Sequence, residues 1–206
     1  MKKVQDYYYK KAKKQKYPAR SVYKLEQIQK KHRIINRGDT VLDLGCAPGS
    51  WSVYASEIAG EKGLVVGVDL HKTAAEPRDG GAPIHWLCHD VADPEMIEVL
   101  SSIRSRFNVL ISDMAPKTTG NRWTDHQQSM RLVEHSIELA QQLLHRQGNY
   151  LCKLFQGEDM PAFITRMKQQ FTRVTVVKPE SSRKESREVF LLGMGFKHLQ
   201  KRQPAG

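Results

Sequence analysis

Short apolar runs recur along the chain at intervals of about twenty residues, and amphipathic stretches lie between them. Runs of this kind are typical of strands buried on both faces of a sheet, and the stretches between them have the period of helices. The predicted strands are residues 41–44, 63–70, 84–90, 107–116, 149–157, 173–178 and 189–193, and the predicted helices are residues 18–31, 50–58, 94–106, 124–145 and 160–170. This alternation predicts a single doubly wound α/β sheet with right-handed crossovers.

The last two strands are connected differently from the others. Residues 179–187 form a polar loop between them, which is too short to contain a helix. Parallel neighbours need a crossover connection of about a dozen residues or more, usually a helix. We therefore expect the final pair of strands to be antiparallel.

Residues 40–52, TVLDLGCAPGSWS, combine a buried strand, a glycine-containing turn and the start of a helix. Gly45 and Gly49 bracket the turn, and without a Cβ the backbone can adopt unusual dihedral angles and let a ligand come close. The helix that follows directs its N-terminus toward such a ligand. Alanine and serine stand at two positions of the dinucleotide pattern G-x-G-x-x-G, which argues against NAD. We interpret the turn as a cradle for another nucleotide-type cofactor.

Charged side chains stand at three strand positions where an apolar residue is more usual. Asp69 ends the second strand, where a carboxylate can accept hydrogen bonds from the ribose of an adenosine-containing ligand; a capping role in the loop is the alternative. Asp113 lies just past the apolar run of the fourth strand, and ligands of open α/β sheets bind beyond the carboxyl ends of the strands. Lys153 lies inside the apolar fifth strand, where a lysine is costly unless it reaches a pocket or a partner.

The positive charge is concentrated at the N-terminus. The chain has a formal net charge of +11, and residues 1–37 alone carry that whole excess. Within residues 1–17, lysines alternate with tyrosines, so that phosphate-neutralising charge is combined with rings that can stack on bases. We predict an RNA-binding arm over residues 1–17, with a solvated, partly disordered tail as the alternative, one domain over residues 18–197 and a short basic tail over residues 198–206.

Composition excludes several other classes of protein. Cys46, Cys88 and Cys152 are odd in number and far apart, which argues against a disulfide framework and against a C-x-x-C metal site. No apolar run approaches membrane-spanning length, and no apolar core of a signal peptide follows the N-terminal charges. We expect a cytoplasmic protein without a metal or a membrane partner.

Several strings resemble the FtsJ/RrmJ family of S-adenosylmethionine (SAM) dependent methyltransferases, which modify a ribose 2′-hydroxyl in RNA. They are DLGCAPGSW in the turn, SDMAP at residues 112–116, LFQG at residues 154–157 and KPESSRKESREVF at residues 178–190. The resemblance spans about residues 17–197 and implies a Rossmann-like domain with SAM as cofactor and a seven-stranded sheet in which one strand is reversed. Ser50 departs from the family pattern, which has a second glycine there, and the aromatic spacing ahead of Lys24 is slightly changed.

The resemblance also assigns site residues. Four of them look like the family's K-D-K-E catalytic tetrad: Lys24, Asp113, Lys153 and Glu188. The cofactor-binding residues that we predict from the turn, the strand ends and the resemblance together are Gly45, Gly49, Trp51, Asp69, Asp90 and Asp113. Trp51 is expected to act through its backbone at the helix start, and the resemblance places Asp90 at the adenine end of the cofactor.

The tetrad suits transfer of a methyl group to a ribose hydroxyl, which needs alignment and a base rather than a metal. We assign the base to Lys153, because desolvation and the like charge of Lys24 favour a neutral amine that can accept the hydroxyl proton. We expect Asp113 to position Lys153 or the cofactor's methionine end, and Glu188 to hold a lysine or the ribose. Nearby carboxylates favour the charged amine instead, so the identity of the base stays a hypothesis.

The expected target is RNA of the ribosome. Over its full length the chain is most similar to the bacterial large-subunit rRNA enzyme of the family, which methylates a uridine of the A-loop, and we expect a monomer that acts on ribosomal RNA or the large subunit. A tRNA anticodon-loop methyltransferase and a non-catalytic ribosome-assembly module are the alternatives. A nucleobase N-methyltransferase usually needs an aromatic platform such as N-P-P-Y after the fourth strand, and DMAP at residues 113–116 has no ring.

Overall fold

The computed structural model describes residues 2–183 and 185–197, with side chains from residue 7 onward. The predicted basic tail, residues 198–206, lies outside the described residues. Within them, six helices and seven strands alternate through most of the chain. The helices are α1 (Lys2–Lys14), α2 (Val22–His32), α3 (Ser50–Ala59), α4 (Met96–Ile103), α5 (Arg122–Leu143) and α6 (Met160–Gln170). The strands are β1 (Thr40–Leu44), β2 (Leu64–Asp69), β3 (Ile84–Cys88), β4 (Phe107–Ser112), β5 (Leu144–Phe155), β6 (Phe171–Val177) and β7 (Glu188–Phe196).

The seven strands form one sheet in the order β3-β2-β1-β4-β5-β7-β6. The pairs from β3 to β5 are parallel, and β7 runs antiparallel to both β5 and β6. Since β7 inserts between β5 and β6, it alone is reversed. The prediction of a doubly wound, mostly parallel seven-stranded sheet with an antiparallel last strand is confirmed. Several boundaries differ from the prediction: β5 begins five residues earlier, β7 extends to Phe196, β4 ends at Ser112 and α2 begins at Val22.

Helices cover both faces of the sheet, and the alternation of side chains along each strand divides the core in two. In β1, Val41 packs on the side of α1, α2 and α3, whereas Leu42 and Leu44 pack on the side of α4, α5 and α6. In β5, Leu151 packs on the first side and Cys152 and Leu154 on the second. Because successive residues of a strand point to opposite faces, Asp43 and Lys153 face the side of α1, α2 and α3.

Residues 2–14 form a helix, which the mixture of lysines and tyrosines did not predict. Ala12 is buried, the ring of Tyr8 lies 5.3 Å from that of Tyr23 in α2, and Lys11 Nζ lies 3.6 Å from Glu26 Oε2. Just beyond the helix, the Tyr17 hydroxyl donates to Glu57 of α3 at 2.9 Å. The alternative of a disordered tail therefore does not describe residues 7–17. Two of the tyrosine rings pack on the domain, whereas Tyr7 and Tyr9 are exposed.

Candidate active site

The glycine turn joins β1 to α3. Gly45 and Gly49 have φ angles of 74° and 102°, a region that side chains other than glycine rarely adopt. A Cβ on Gly45 would lie 2.6 Å from Met114 Cγ, and a Cβ on Gly49 would lie 2.8 Å from the Cβ of Ala75. Glycine is therefore required at both positions by the backbone angles and by the close approach of neighbouring loops. Without side chains at these two positions, the turn takes up little volume beside the carboxyl ends of β1 and β4.

Asp69 lies next to this turn, at the end of β2. Its Oδ2 accepts a hydrogen bond from the backbone N–H of Ala47 at 3.0 Å, and its Oδ1 accepts one from the backbone N–H of His71 at 2.8 Å. The side chain remains 13% exposed. The carboxylate therefore caps its own loop, and it also lies beside the glycine turn, where the contact with a cofactor ribose stays a prediction.

Asp90 is exposed at the edge of the sheet, whereas the side chain of Trp51 is buried. Asp90 lies beyond β3 at the same edge of the sheet, is exposed, and accepts a hydrogen bond from the backbone N–H of Ala92 at 2.9 Å. The side chain of Trp51 is 2% exposed, donates from Nε1 to the Ser21 carbonyl at 2.9 Å, and lies 5.7 Å from the ring of Phe190. Only the backbone of Trp51 is at the start of α3, and its indole instead fixes the position of α2.

Ser50, the departure from the family turn, makes a contact that a glycine could not make. Its Oγ accepts a hydrogen bond from the backbone N–H of Ala19 at 2.6 Å, and the residue is 1% exposed. Gly49, with no side chain to form a cap, occupies the N-cap position of α3. Ser50 therefore does not cap the helix as its residue type suggested. It ties the segment that leads into α2 to the cofactor turn.

Asp43, in the middle of β1, is a candidate that the sequence analysis missed. It is completely buried, and its Oδ2 accepts a hydrogen bond from Ser52 Oγ at 2.6 Å, while Oδ1 has no partner among the described residues. Loss of water, with a smaller contribution from the charges of Asp113 and Asp69, raises the pKa of the carboxyl from 3.8 to about 7, although the hydrogen bond from Ser52 lowers it. The sequence did contain a feature that could have identified Asp43, since an aspartate inside the apolar run TVLDL is as unusual as a lysine inside β5.

Replacing Asp43 with asparagine should remove a pH dependence of stability. Between pH 3.8 and about 7 the folded protein holds a proton on Asp43 that the unfolded chain has lost, so the free energy of unfolding falls as pH rises through this window. The pKa shift corresponds to about 4 kcal/mol as an upper bound. Chemical denaturation of both proteins at about pH 5 and about pH 8 measures the effect. An equal loss of stability between the two pH values in the variant would contradict the prediction.

Lys153 and Asp113 meet at the carboxyl ends of the neighbouring strands β5 and β4. Lys153 Nζ donates to Asp113 Oδ1 at 2.9 Å and also to the backbone carbonyl of Asp113. The lysine side chain is 8% exposed and that of Asp113 is 18% exposed. The lysine that the sequence marked as out of place in an apolar strand therefore has a carboxylate partner at the edge of solvent.

Lys24 of α2 and Glu188 of β7 form the second pair, with Lys24 Nζ 2.6 Å from Glu188 Oε1. Phe190 connects the two pairs: it stands directly opposite Lys153 in the β5–β7 ladder, and its ring centroid lies 5.8 Å from Lys24 Nζ. The four residues with tetrad-like positions thus form two ion pairs, and Phe190 links them through its place opposite Lys153 and its contact with Lys24. This is a partly buried cluster of two amines and two carboxylates beside the glycine turn.

The described residues contain no group of three or more histidine, cysteine, aspartate or glutamate side chains arranged to hold a metal ion. In the same part of the chain, no helix is long and apolar enough to cross a membrane.

Comparison with known proteins assigns the family. The FtsJ-like methyltransferase family model matches residues 17–196. A protein from Desulfotalea psychrophila, named Ribosomal RNA large subunit methyltransferase E, is 59% identical over 201 residues, which cover 98% of this chain and 100% of the relative. A protein of the same name from Methanothermobacter thermautotrophicus is 41% identical, and the match covers 95% of this chain and 92% of the relative.

Two solved structures share the fold. A Plasmodium falciparum chain described as a ribosomal RNA methyltransferase superposes with a TM-score of 0.76 at 24% identity, over 87% of this chain and 98% of that one. A chain of a fibrillarin/Nop5p complex superposes with a TM-score of 0.57 at 18% identity, over 85% and 83%. Since the family model spans nearly the whole chain and a full-length relative is 59% identical, this chain belongs to the FtsJ-like methyltransferase family.

Proposed function

We propose that this chain is a SAM-dependent RNA methyltransferase that transfers a methyl group to a ribose 2′-hydroxyl, with a uridine in the A-loop of large-subunit ribosomal RNA as its target. The observation that carries the proposal is the pair of lysine–carboxylate contacts on either side of Phe190, because a ribose hydroxyl needs a base and an aligned acceptor site. The names of the relatives support ribosomal RNA as the substrate.

The residues around the glycine turn fit SAM. Asp43 Oδ1 is a buried oxygen that has no hydrogen-bond partner within residues 2–183 and 185–197, which suits the ammonium end of an amino acid or a water bound to it. Asp69 is partly exposed beside the turn and can accept from ribose hydroxyls, and the exposed Asp90 lies at the same edge of the sheet. When bound, SAM supplies a methyl group on a positively charged sulfur.

Lys153 is the proposed base. A neutral lysine amine has two hydrogens and one lone pair, and Asp113 accepts hydrogen bonds at both its Oδ1 and its backbone oxygen. Both hydrogens of a neutral Lys153 therefore have a partner, which leaves the lone pair to accept the proton of the 2′-hydroxyl. Asp113 positions the base through these two hydrogen bonds.

Lys24 and Glu188 are proposed to orient the ribose. Glu188 Oε1 also accepts a hydrogen bond from Ser182 Oγ at 3.2 Å, so the carboxylate is held on two sides while it pairs with Lys24. A substrate hydroxyl that approaches this pair can accept from the ammonium and donate to the carboxylate.

Replacing Asp69 with alanine should weaken SAM binding by about 1–3 kcal/mol, since the ribose hydroxyls lose their acceptor. The variant also loses the hydrogen bond to the N–H of Ala47, so circular dichroism and thermal unfolding must accompany the calorimetry. Glu98→Ala, an exposed carboxylate of α4, is the matched control and should bind SAM normally. Unchanged SAM affinity in a folded Asp69→Ala protein would show that the cofactor ribose lies elsewhere.

Methyl transfer from labelled SAM identifies the substrate. The protein is incubated separately with large subunits, small subunits, free ribosomal RNA and tRNA, and the modified RNA is then hydrolysed in alkali. A 2′-O-methyl group removes the nucleophile for strand cleavage, so the label should remain in an uncleaved dinucleotide that contains uridine. Label in tRNA alone would support the anticodon-loop alternative, and no label in any RNA would support the non-catalytic alternative.

We also propose that the enzyme is monomeric, cytoplasmic and independent of a metal. Light scattering can test the oligomeric state, cell fractionation the location, and assays with a chelator the metal.

A further inference from the structure

Trp123 is the most exposed aromatic side chain among the described residues. It is 65% exposed and lies in the first turn of α5, at the end of the loop that follows Asp113. The other tryptophans differ, because Trp51 is buried and Trp86 is partly buried. The core gains nothing from an indole in this position, and large apolar side chains that stay exposed often mark contact sites.

The backbone that carries Trp123 is held firmly. Asn121 Oδ1 accepts hydrogen bonds from the backbone N–H groups of Trp123 and Thr124 at 3.0 and 3.1 Å. Asp125 Oδ1 accepts from the backbone N–H of Thr119 at 2.6 Å and from its hydroxyl at 2.9 Å. A ring on a capped helix start loses little conformational freedom when it makes a contact, which favours a binding role.

Trp123 is also tied to the candidate active site. Arg187, immediately before Glu188, donates from Nη1 to the carbonyl of Arg122 at 3.4 Å and from Nη2 to the carbonyl of Gln156, beyond the end of β5. The start of α5, the end of β5 and the start of β7 are thus joined by one guanidinium. The backbone that carries the indole is therefore linked to the residue before Glu188 and to the end of the strand that contains Lys153.

The chain immediately before the ring carries positive charge, although Asp159 contacts His126 and Gln127 in the next turn of α5. Lys117 and Arg122 are exposed, and residues 117–123 contain no acidic side chain. Asp125 is the nearest carboxylate in sequence, and its Oδ1 already accepts two hydrogen bonds from Thr119. An exposed ring with cations beside it matches single-stranded nucleic acid, whose bases stack on aromatic side chains while its phosphates contact basic groups.

We propose that Trp123 stacks on an unpaired nucleobase next to the nucleotide whose ribose enters the active site. This inference rests on the proposed function, because it takes RNA to be the substrate. A ribose can reach the partly buried catalytic base, Lys153, only if its nucleotide leaves the regular stack of nucleobases. The indole then replaces part of the stacking that the neighbouring nucleobase loses. Trp123 is accordingly a substrate-positioning residue and takes no part in proton transfer.

Tryptophan fluorescence tests the stacking directly. Titration of the full chain with a short single-stranded RNA oligonucleotide should quench the emission, since Trp123 is the tryptophan most exposed to a ligand. Trp123→Phe should bind this RNA with similar affinity but without most of the quench. Trp123→Ala should bind about 5- to 150-fold more weakly, which is the range that one stacked base contributes. The RNA concentration that gives half of the maximal single-turnover rate should rise by a similar factor.

Val176→Ala is the matched control, because it removes an exposed apolar side chain from the edge strand β6, and it should bind RNA like the wild type. Unchanged RNA affinity in Trp123→Ala would overturn the inference. A loss confined to assembled large subunits, with normal binding of free RNA, would also overturn it and assign the ring to a protein contact. If the wild type transfers no methyl group to any RNA, the proposed function fails, whereas the quench still reports separately on the stacking.

Discussion

Lys153→Ala is expected to slow single-turnover methyl transfer by about 10²- to 10⁴-fold, the contribution typical of a positioned base. The variant should keep its affinity for SAM, because Lys153 contacts Asp113 and its backbone rather than the glycine turn. Rapid-quench measurement with saturating RNA and labelled SAM isolates the chemical step from binding and from product release.

The lysine is largely buried, so its removal also leaves a space and an unpaired carboxylate. Lys153→Met fills most of the volume and separates the loss of the amine from the loss of packing. Lys24→Ala should slow the reaction by a similar or smaller factor, because Lys24 acts beside the base through its contact with Glu188. A single-turnover rate near that of the wild type in Lys153→Met would contradict the assignment and would leave Lys24 as the remaining amine of the cluster.

Replacing four exposed lysines of the N-terminal arm with glutamine should flatten the salt dependence of RNA binding. The four residues are Lys10, Lys13, Lys14 and Lys16. Each lysine that neutralises a phosphate contributes a slope of about 0.7–0.9 to the plot of log affinity against log salt, so about three units should be lost. The loss of affinity is therefore expected to be largest at low salt. SAM binding should not change.

Substitution tests the arm better than deletion does. Ala12 and Tyr8 pack on the domain, so removal of α1 would expose part of the core. The effect of lost positive charge on RNA binding could then not be separated from the effect of lost packing. A control with the same change in charge replaces lysines outside the arm, at Lys31, Lys62, Lys168 and Lys197. If the slope changes equally in both proteins, the arm has no special role, and the RNA contacts would move to Lys24, Arg183 and Arg187 around the active site. Lys184, which also belongs to that group, lies outside the described residues.

The sequence predicted the fold well because the central strands β1, β2, β4 and β7 and the second half of β5 are largely buried on both faces. Burial requires an uninterrupted apolar run, and the helices between the runs have the matching period, so element order and sheet class follow from local pattern. The polar loop at residues 179–187 likewise required an antiparallel pair. Lys153 could be identified for the same reason, since a charge inside an apolar run is visible without any knowledge of contacts.

Contacts between distant segments were decided only by the tertiary structure. The sequence marked four ionisable residues, but the order of the sheet determines that Lys153 meets Asp113, and the packing of α2 on the sheet determines that Lys24 meets Glu188. In the same way, α1 is a packed helix because Ala12 and Tyr8 find partners on α2, although the segment is rich in lysine. Local sequence therefore determined which segments are buried and where charges stand out, since burial and periodicity are local. The partner of each charge depends on which strands lie side by side, and only the folded chain decides that.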